Sequence, residues 1–202
     1  MSAIAPTRVV KGAFIVHADP DLTPKRINFE YNPVCVQRSL TFESTATGIA
    51  TGSAQLRPKG QPVETISFEI EFDSNDQIDQ PGRKSTANLF GVYPQLAAIE
   101  TTIRQQKSVT RSQRKSPYVL LSLGINRIMP VQLISYSVTE QEFDSSLNPI
   151  RAKASVSMRV LTANDFAQNH PARKVYLDYL KKLEEMATIA FELGQESKKA
   201  RH

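Results

Sequence analysis

The chain has 202 residues, 40% of them hydrophobic and 22% charged, enough for one full-sized domain plus an appendage and a core that needs no covalent staples. Its net charge of +5 is mildly basic and falls short of the dense basic stripe expected of a dedicated nucleic-acid binder. Cys35 is the single cysteine, which excludes an intrachain disulfide, and no run approaches the roughly 20 apolar residues of a membrane-spanning helix.

Two periodicities divide the sequence: period two from Val9 to about Leu161, and a helical period beyond Pro171. Residues 9–17 read as a first strand, closed by the turn-rich Ala18-Asp19-Pro20-Asp21. Ile27, Phe29 and Tyr31 alternate with Asn28 and Glu30 in a second strand that stops at Asn32-Pro33, and residues 37–42 form a third. Residues 44–62 are rich in Ser, Thr, Gly, Gln and Pro and make a long loop or an extended hairpin. In residues 64–73, Ile66, Phe68, Ile70 and Phe72 point one way, while Thr65, Ser67, Glu69, Glu71 and Asp73 point the other. That is a strand with one buried face.

Residues 74–85 are polar and carry the turn signal Gln80-Pro81-Gly82. Val92, Leu96, Ile99 and Ile103 then recur at helical spacing, with Pro94 where a first turn tolerates it. A basic polar loop over 105–116 leads to a buried strand at 118–123 and another at 128–140, in which Ile134, Tyr136 and Val138 alternate. After a turn-rich connection over 141–149, the last strand alternates Ala152, Ala154, Val156, Met158 and Val160 with Lys153, Ser155, Ser157 and Arg159. Strands in this number with one helix predict an α+β, mainly β fold: two packed antiparallel sheets or a partly closed barrel. From Pro171 to about Gly194, Tyr176, Leu180, Leu183, Ala187, Ala190 and Leu193 keep a heptad-like seam, supported by Tyr179 and Met186. Residues 1–163 are therefore read as a β domain and 164–202 as a C-terminal amphipathic helix with a basic tail. That seam packs on its own domain or on a partner, and both readings stay open.

Residues suited to catalysis are scattered. His17, His170 and His202 lack the spacing of a zinc site, and Cys35, with no orienting histidine pattern, reads as a small buried residue. Gly48, Gly52 and Gly60 are too dispersed for a phosphate loop. Glu69 and Glu71 form a ladder of like charge on a sheet surface, read as a solvated or interface-facing strip rather than a catalytic pair. The basic loop 104–115, with Arg111 and Arg114, has no aromatic side chain to stack on a base, so it reads as an exposed loop or protein contact. A nucleic-acid-binding barrel using this loop is the alternative from a different class. The expectation is a protein that is not an enzyme and takes no cofactor or metal.

Three segments carry a family resemblance. They are Phe29-Glu30-Tyr31-Asn32-Pro33 with Arg38-Ser39-Leu40; Glu64-Thr65-Ile66-Ser67-Phe68-Glu69-Ile70; and Ser137 to Asp144 running on through Leu147-Asn148-Pro149-Ile150-Arg151-Ala152-Lys153 to Val160-Leu161-Thr162. Together they resemble the contractile injection system tube-protein domain family over residues 11–162. The resemblance implies two sheets wrapped into a barrel-like phage tail-tube unit with a flanking helix. It also implies a structural role in a phage-tail-like machine: a homo-oligomeric ring, expected to be hexameric, at the baseplate. There it would join the spike hub to the inner tube, with hub, tube and baseplate proteins as partners. The bulk inner-tube subunit is the alternative within the family.

Relatives that continue into a LysM module differ from this chain, whose helix with Tyr176, Leu180 and Leu183 is expected to serve as the tether instead. No signal-peptide pattern opens the sequence, so synthesis in the bacterial cytoplasm is expected, with no direct membrane anchoring and no nucleic acid. The particle would then be released or kept inside the cell. Glu140, Phe143, Asp144, Asn148, Pro149 and Arg151 are the expected shaped connection for assembly, although a well-formed turn alone would account for them.

Overall fold

The computed structural model describes residues 10–18, 23–42, 61–75, 89–105 and 117–199, with side chains of the last helix as far as 193. Seven strands form one antiparallel sheet: β1 (Ala13–His17), β2 (Lys25–Asn28), β3 (Val36–Thr41), β4 (Val63–Asp73), β5 (Tyr118–Ser122), β6 (Ile128–Phe143) and β7 (Pro149–Val160), in the order β2-β1-β5-β6-β7-β4-β3. Helix α1 (Tyr93–Gln105) precedes β5, and α2 (Pro171–Lys199) follows β7. No helix among the described residues is long and apolar enough to cross a membrane.

In place of the expected two sheets wrapped into a barrel-like unit there is one open sheet, not closed into a barrel. The long hairpin β6–β7 runs through its middle and pairs with β5 on one side and β4 on the other, so the ladder is never broken into two layers. The sheet coils instead. Phe14 on β1 and Phe68 on β4 are four strand steps apart, about 19 Å if the sheet were flat. Their ring centroids lie 6.5 Å apart. Phe29 closes the gap, 5.0 Å from Phe14 and 5.5 Å from Phe68. One coiled sheet thus encloses the core that two sheets would have shared, and Leu96 and Ile99 of α1 complete it.

The alternating strands follow their side chains. In β4, Ile66, Phe68, Ile70 and Phe72 are buried; in β7, Ala152, Ala154, Val156, Met158 and Val160 are buried. β5 is buried on both faces because the segment from Leu161 into the first turns of α2 covers its outer side. Val119 and Leu121 enter the main core, whereas Tyr118 and Leu120 pack with Leu161, Phe166 and Ala172.

Three local expectations change. The second strand ends at Asn28, because Asn32 binds back to Gly12 N and Val10 O while Glu30 turns inward, its Oε2 accepting from Asp73 N at 3.1 Å. Ile134, expected to alternate inward, is 61% exposed. The β6–β7 register shifts by one between Leu133 and Ser135, so Ile134 is the extra residue of a bulge. Before it Met129, Val131 and Leu133 face the core; after it Tyr136 and Val138 do. Gly194 does not end α2, which continues to Lys199.

Candidate assembly surfaces

The β6–β7 turn is built by one carboxylate. Asp144 Oδ1 accepts from Ser146 N (2.7 Å) and Asn148 N (2.8 Å), and Oδ2 accepts from the Asn148 amide at 2.9 Å. This fixed loop holds two non-glycine residues at positive φ, Glu142 at 53° and Leu147 at 62°, a conformation that such residues adopt only when their surroundings impose it. Leu147 is left 79% exposed, with Phe143 and Glu140 also exposed on the β6 arm. Arg151 reaches Asp73 at 2.7 Å on β4 and Glu142 at 2.8 Å on β6, tying the base of the hairpin across three strands.

A second segment clamps this turn. Val92 N donates to the carbonyl of buried Pro149 at 2.9 Å, and the Asn148 amide donates to Leu89 O at 3.2 Å. Gly91 sits between them at φ 55°, where a β-carbon would run into the Pro149 carbonyl oxygen. Leu89, Phe90 and Tyr93 consequently stand exposed beside Phe143 and Leu147. The expected site residues Glu140, Phe143, Asp144, Asn148, Pro149 and Arg151 are thus brought together at one end of the sheet.

The turn has a pH signature. The Asn148 side-chain amide, then its backbone N–H, hold the Asp144 carboxyl below its ordinary 3.8. A folded value below the unfolded one stabilises the turn above that ordinary value, and the contribution is lost as pH falls through the folded value. Exchange of the Ser146 and Asn148 amides should therefore accelerate below about pH 4, ahead of the strand amides. An Asp144→Asn variant should lack this acid step; an unchanged step in the variant would remove Asp144 as its source.

Glu69 and Glu71 lie on the outer sheet face but not as a bare acidic ladder. Lys153 on β7 sits 2.7 Å from Glu71 and 3.6 Å from Glu69, and its pKa is raised first by the hydrogen bond to Glu71. Beside them the face is paved with hydroxyls. Ser67 pairs with Ser157, which pairs with Ser135, and Ser155 pairs with Ser137. A shallow groove over these serines is walled by residues 31–35. Cys35, expected to be buried, is exposed there, because the loop after Pro33 turns its side chains away from the core. Arg111 and Arg114 lie outside the described residues, as does most of the basic loop 104–115 and all of loop 44–60.

α2 starts where His170 Nδ1 accepts from Ala172 N at 3.2 Å. Tyr176 and Tyr179 are buried in the main core, and Leu180 packs against it. Glu64, on the apolar face of β4, would be an isolated buried charge without Arg38 and Tyr179. Arg38 donates to Glu64 from Nε (2.8 Å) and to the Tyr179 hydroxyl at 2.6 Å. Burial opposes the Arg38 charge, and the Glu64 bond and charge outweigh it, raising the guanidinium pKa. Lys182 Nζ donates to Ile125 O at 2.7 Å, and from Leu183 onward α2 is exposed as far as its side chains are described.

No protein-family model matches the chain, and no curated protein matches it. Among solved structures it is similar to a chain in the cryo-EM structure of the anti-feeding prophage (AFP) baseplate, 6-fold symmetrised. The two are 13% identical, with 80% of this chain and 94% of that chain covered, at a TM-score of 0.32.

Sequence reasoning missed the clamp of residues 89–93 on Pro149, the exposure of Leu147 and the inward Glu64. The signals were thin: one glycine between Phe90 and Val92, and a glutamate of the same parity as Ile66.

Proposed function

We propose that the chain is a non-enzymatic structural subunit of a phage-tail-like contractile injection machine, forming a ring at the baseplate between spike hub and inner tube. The observation that carries this reading is the open sheet. β2 and β3 end the strand order, and among the described residues no strand pairs with their outer sides. Unpaired strand edges invite another strand, and here β3 also exposes Leu40, with Phe42 just beyond it. Copies that meet edge to edge, β3 of one toward β2 of the next, satisfy both edges in a closed cyclic assembly. The tube-family resemblance in residues 29–40, 64–70 and 137–162 supports the same role. Hub, tube and baseplate proteins are the proposed partners, and six copies the proposed ring.

Sedimentation velocity and negative-stain imaging of the full chain at several concentrations test this reading. Rings or short tubes are expected. A strict monomer that shifts a labelled oligonucleotide would overturn it in favour of nucleic-acid binding by the basic loop. Copy number per particle separates a single ring from a bulk tube subunit.

A further inference from the structure

Strand β3 has little to hold it. Among the described residues it pairs with β4 alone, and every residue after Val36 is exposed. Val36, Arg38 and Leu40 share its core-side face, opposite Phe68, Ile66 and Glu64 of β4. Val36 packs against the core, but Leu40 is 60% exposed. An edge strand with so little apolar burial is marginal on its ladder bonds alone.

Arg38 supplies the missing hold. Its guanidinium donates to Glu64 and, at 2.6 Å, to the Tyr179 hydroxyl, which lies 3.4 Å from both Glu64 oxygens. The ion pair by itself fixes the strand weakly, because the Arg38 side chain is one-third exposed and Glu64 belongs to the neighbouring strand. Tyr179 is different. Its ring is buried in the main core, so its hydroxyl is a point that the strand cannot drag along. The same helix is fixed on the other side of the coiled sheet. There Ala172 and Val175 pack with Tyr118, Leu120 and Ile128, and Lys182 Nζ donates to Ile125 O at 2.7 Å. About three turns of α2 thus bridge β5 and β6 to β3 and β4.

We propose that these turns are a strap that governs the β3 edge, with Tyr179 as its positioning residue. Through Arg38 it orders the outermost strand, so the edge open to strand pairing persists only while the strap is seated. The coupling is reciprocal: a strand that pairs with β3 favours the seated strap by the same factor. The strap stands on contacts within one chain, and its effect on ring formation rests on the assembly reading above.

Hydrogen exchange on the full chain, at a concentration where it is monomeric, tests the strap. Tyr179→Phe keeps the ring in the core and removes only the hydroxyl. The β3 amides bonded to β4 should exchange roughly tenfold faster, while those of β1 and β5 stay as in the parent. Unchanged β3 exchange would overturn the proposal, and so would equal acceleration in every strand, which makes Tyr179 a core residue only. A second background checks the route. With Arg38→Met and Glu64→Leu the ion pair is replaced by apolar groups, a change that folds tolerate better than loss of one partner. Tyr179→Phe should then no longer accelerate β3 exchange, and a persisting tenfold effect would overturn the path through Arg38. For assembly, Tyr179→Phe should raise the concentration at which rings or tubes form by about the same factor as it speeds β3 exchange. A parent and variant that assemble alike would overturn control of the edge. A parent that stays monomeric at every concentration would overturn the assembly reading, while the exchange result decides the strap.

Discussion

Replacing Phe29 with alanine should lower stability by about 3–5 kcal/mol and the melting temperature by roughly 10 °C. The ring is 1% exposed and lies just beyond β2, in edge-to-face contact with Phe14 and tilted against Phe68. Gly12 makes room for it, since a β-carbon at that position would come within 2.5 Å of the ring. Phe29 therefore fills the space between β1 and β4 inside the coiled sheet, and truncation leaves a cavity there that backbone pairing resists closing. Phe29→Leu, which keeps most of the volume, should cost less than about 1.5 kcal/mol. Chemical denaturation of both variants checks the ordering. An alanine variant that melts within about 2 °C of the parent would mean that the sheet coils without this plug.

Gly91→Val should cost about 3 kcal/mol, the upper end of what a residue forced into a disfavoured backbone region costs. Two effects add. A β-branched residue at φ 55° is strained whatever the surrounding space, and its side chain meets the Pro149 carbonyl, which is backbone and cannot swing aside. The local consequence should exceed the global one: residues 89–92 release the turn, Asn148 loses Leu89 O, and the exposed apolar cluster disperses. Hydrogen exchange should show Val92 N, bonded to Pro149 O at 2.9 Å, losing protection before any strand amide. Gly91→Ala should show the same order with a smaller loss. Uniform loss across the sheet would instead place Gly91 in the global core.

The turn and the strands were legible for the same reason: their causes are local. Alternation in β4 and β7 is written residue by residue, because a strand turns successive side chains to opposite faces whatever pairs with it. Asp144, Asn148 and Pro149 announce a turn, since Asp and Asn bind neighbouring backbone and proline presets φ. The heptad spacing of α2 belongs to this class too. Its division into a packed half and a free half does not, because that depends on where the sheet stops.

What only the tertiary structure decided involves partners distant in the chain. β7 lies between β6 and β4, and the resulting unbroken ladder coils into one open sheet where local patterns predicted two sheets or a partly closed barrel. The bulge at Ile134 reverses the phase of β6 because Ser135 has to meet Ser157, a constraint absent from β6 itself. Glu64 turns toward the core since Arg38 and Tyr179 receive it there, and Glu69 and Glu71 share one compensating charge because pairing with β7 brings Lys153 between them. The sequence by itself thus determined which residues form strands, the turn and the helical seam. Which faces those elements share, and which surfaces they leave uncovered, followed from long-range pairing, whose register no local period encodes.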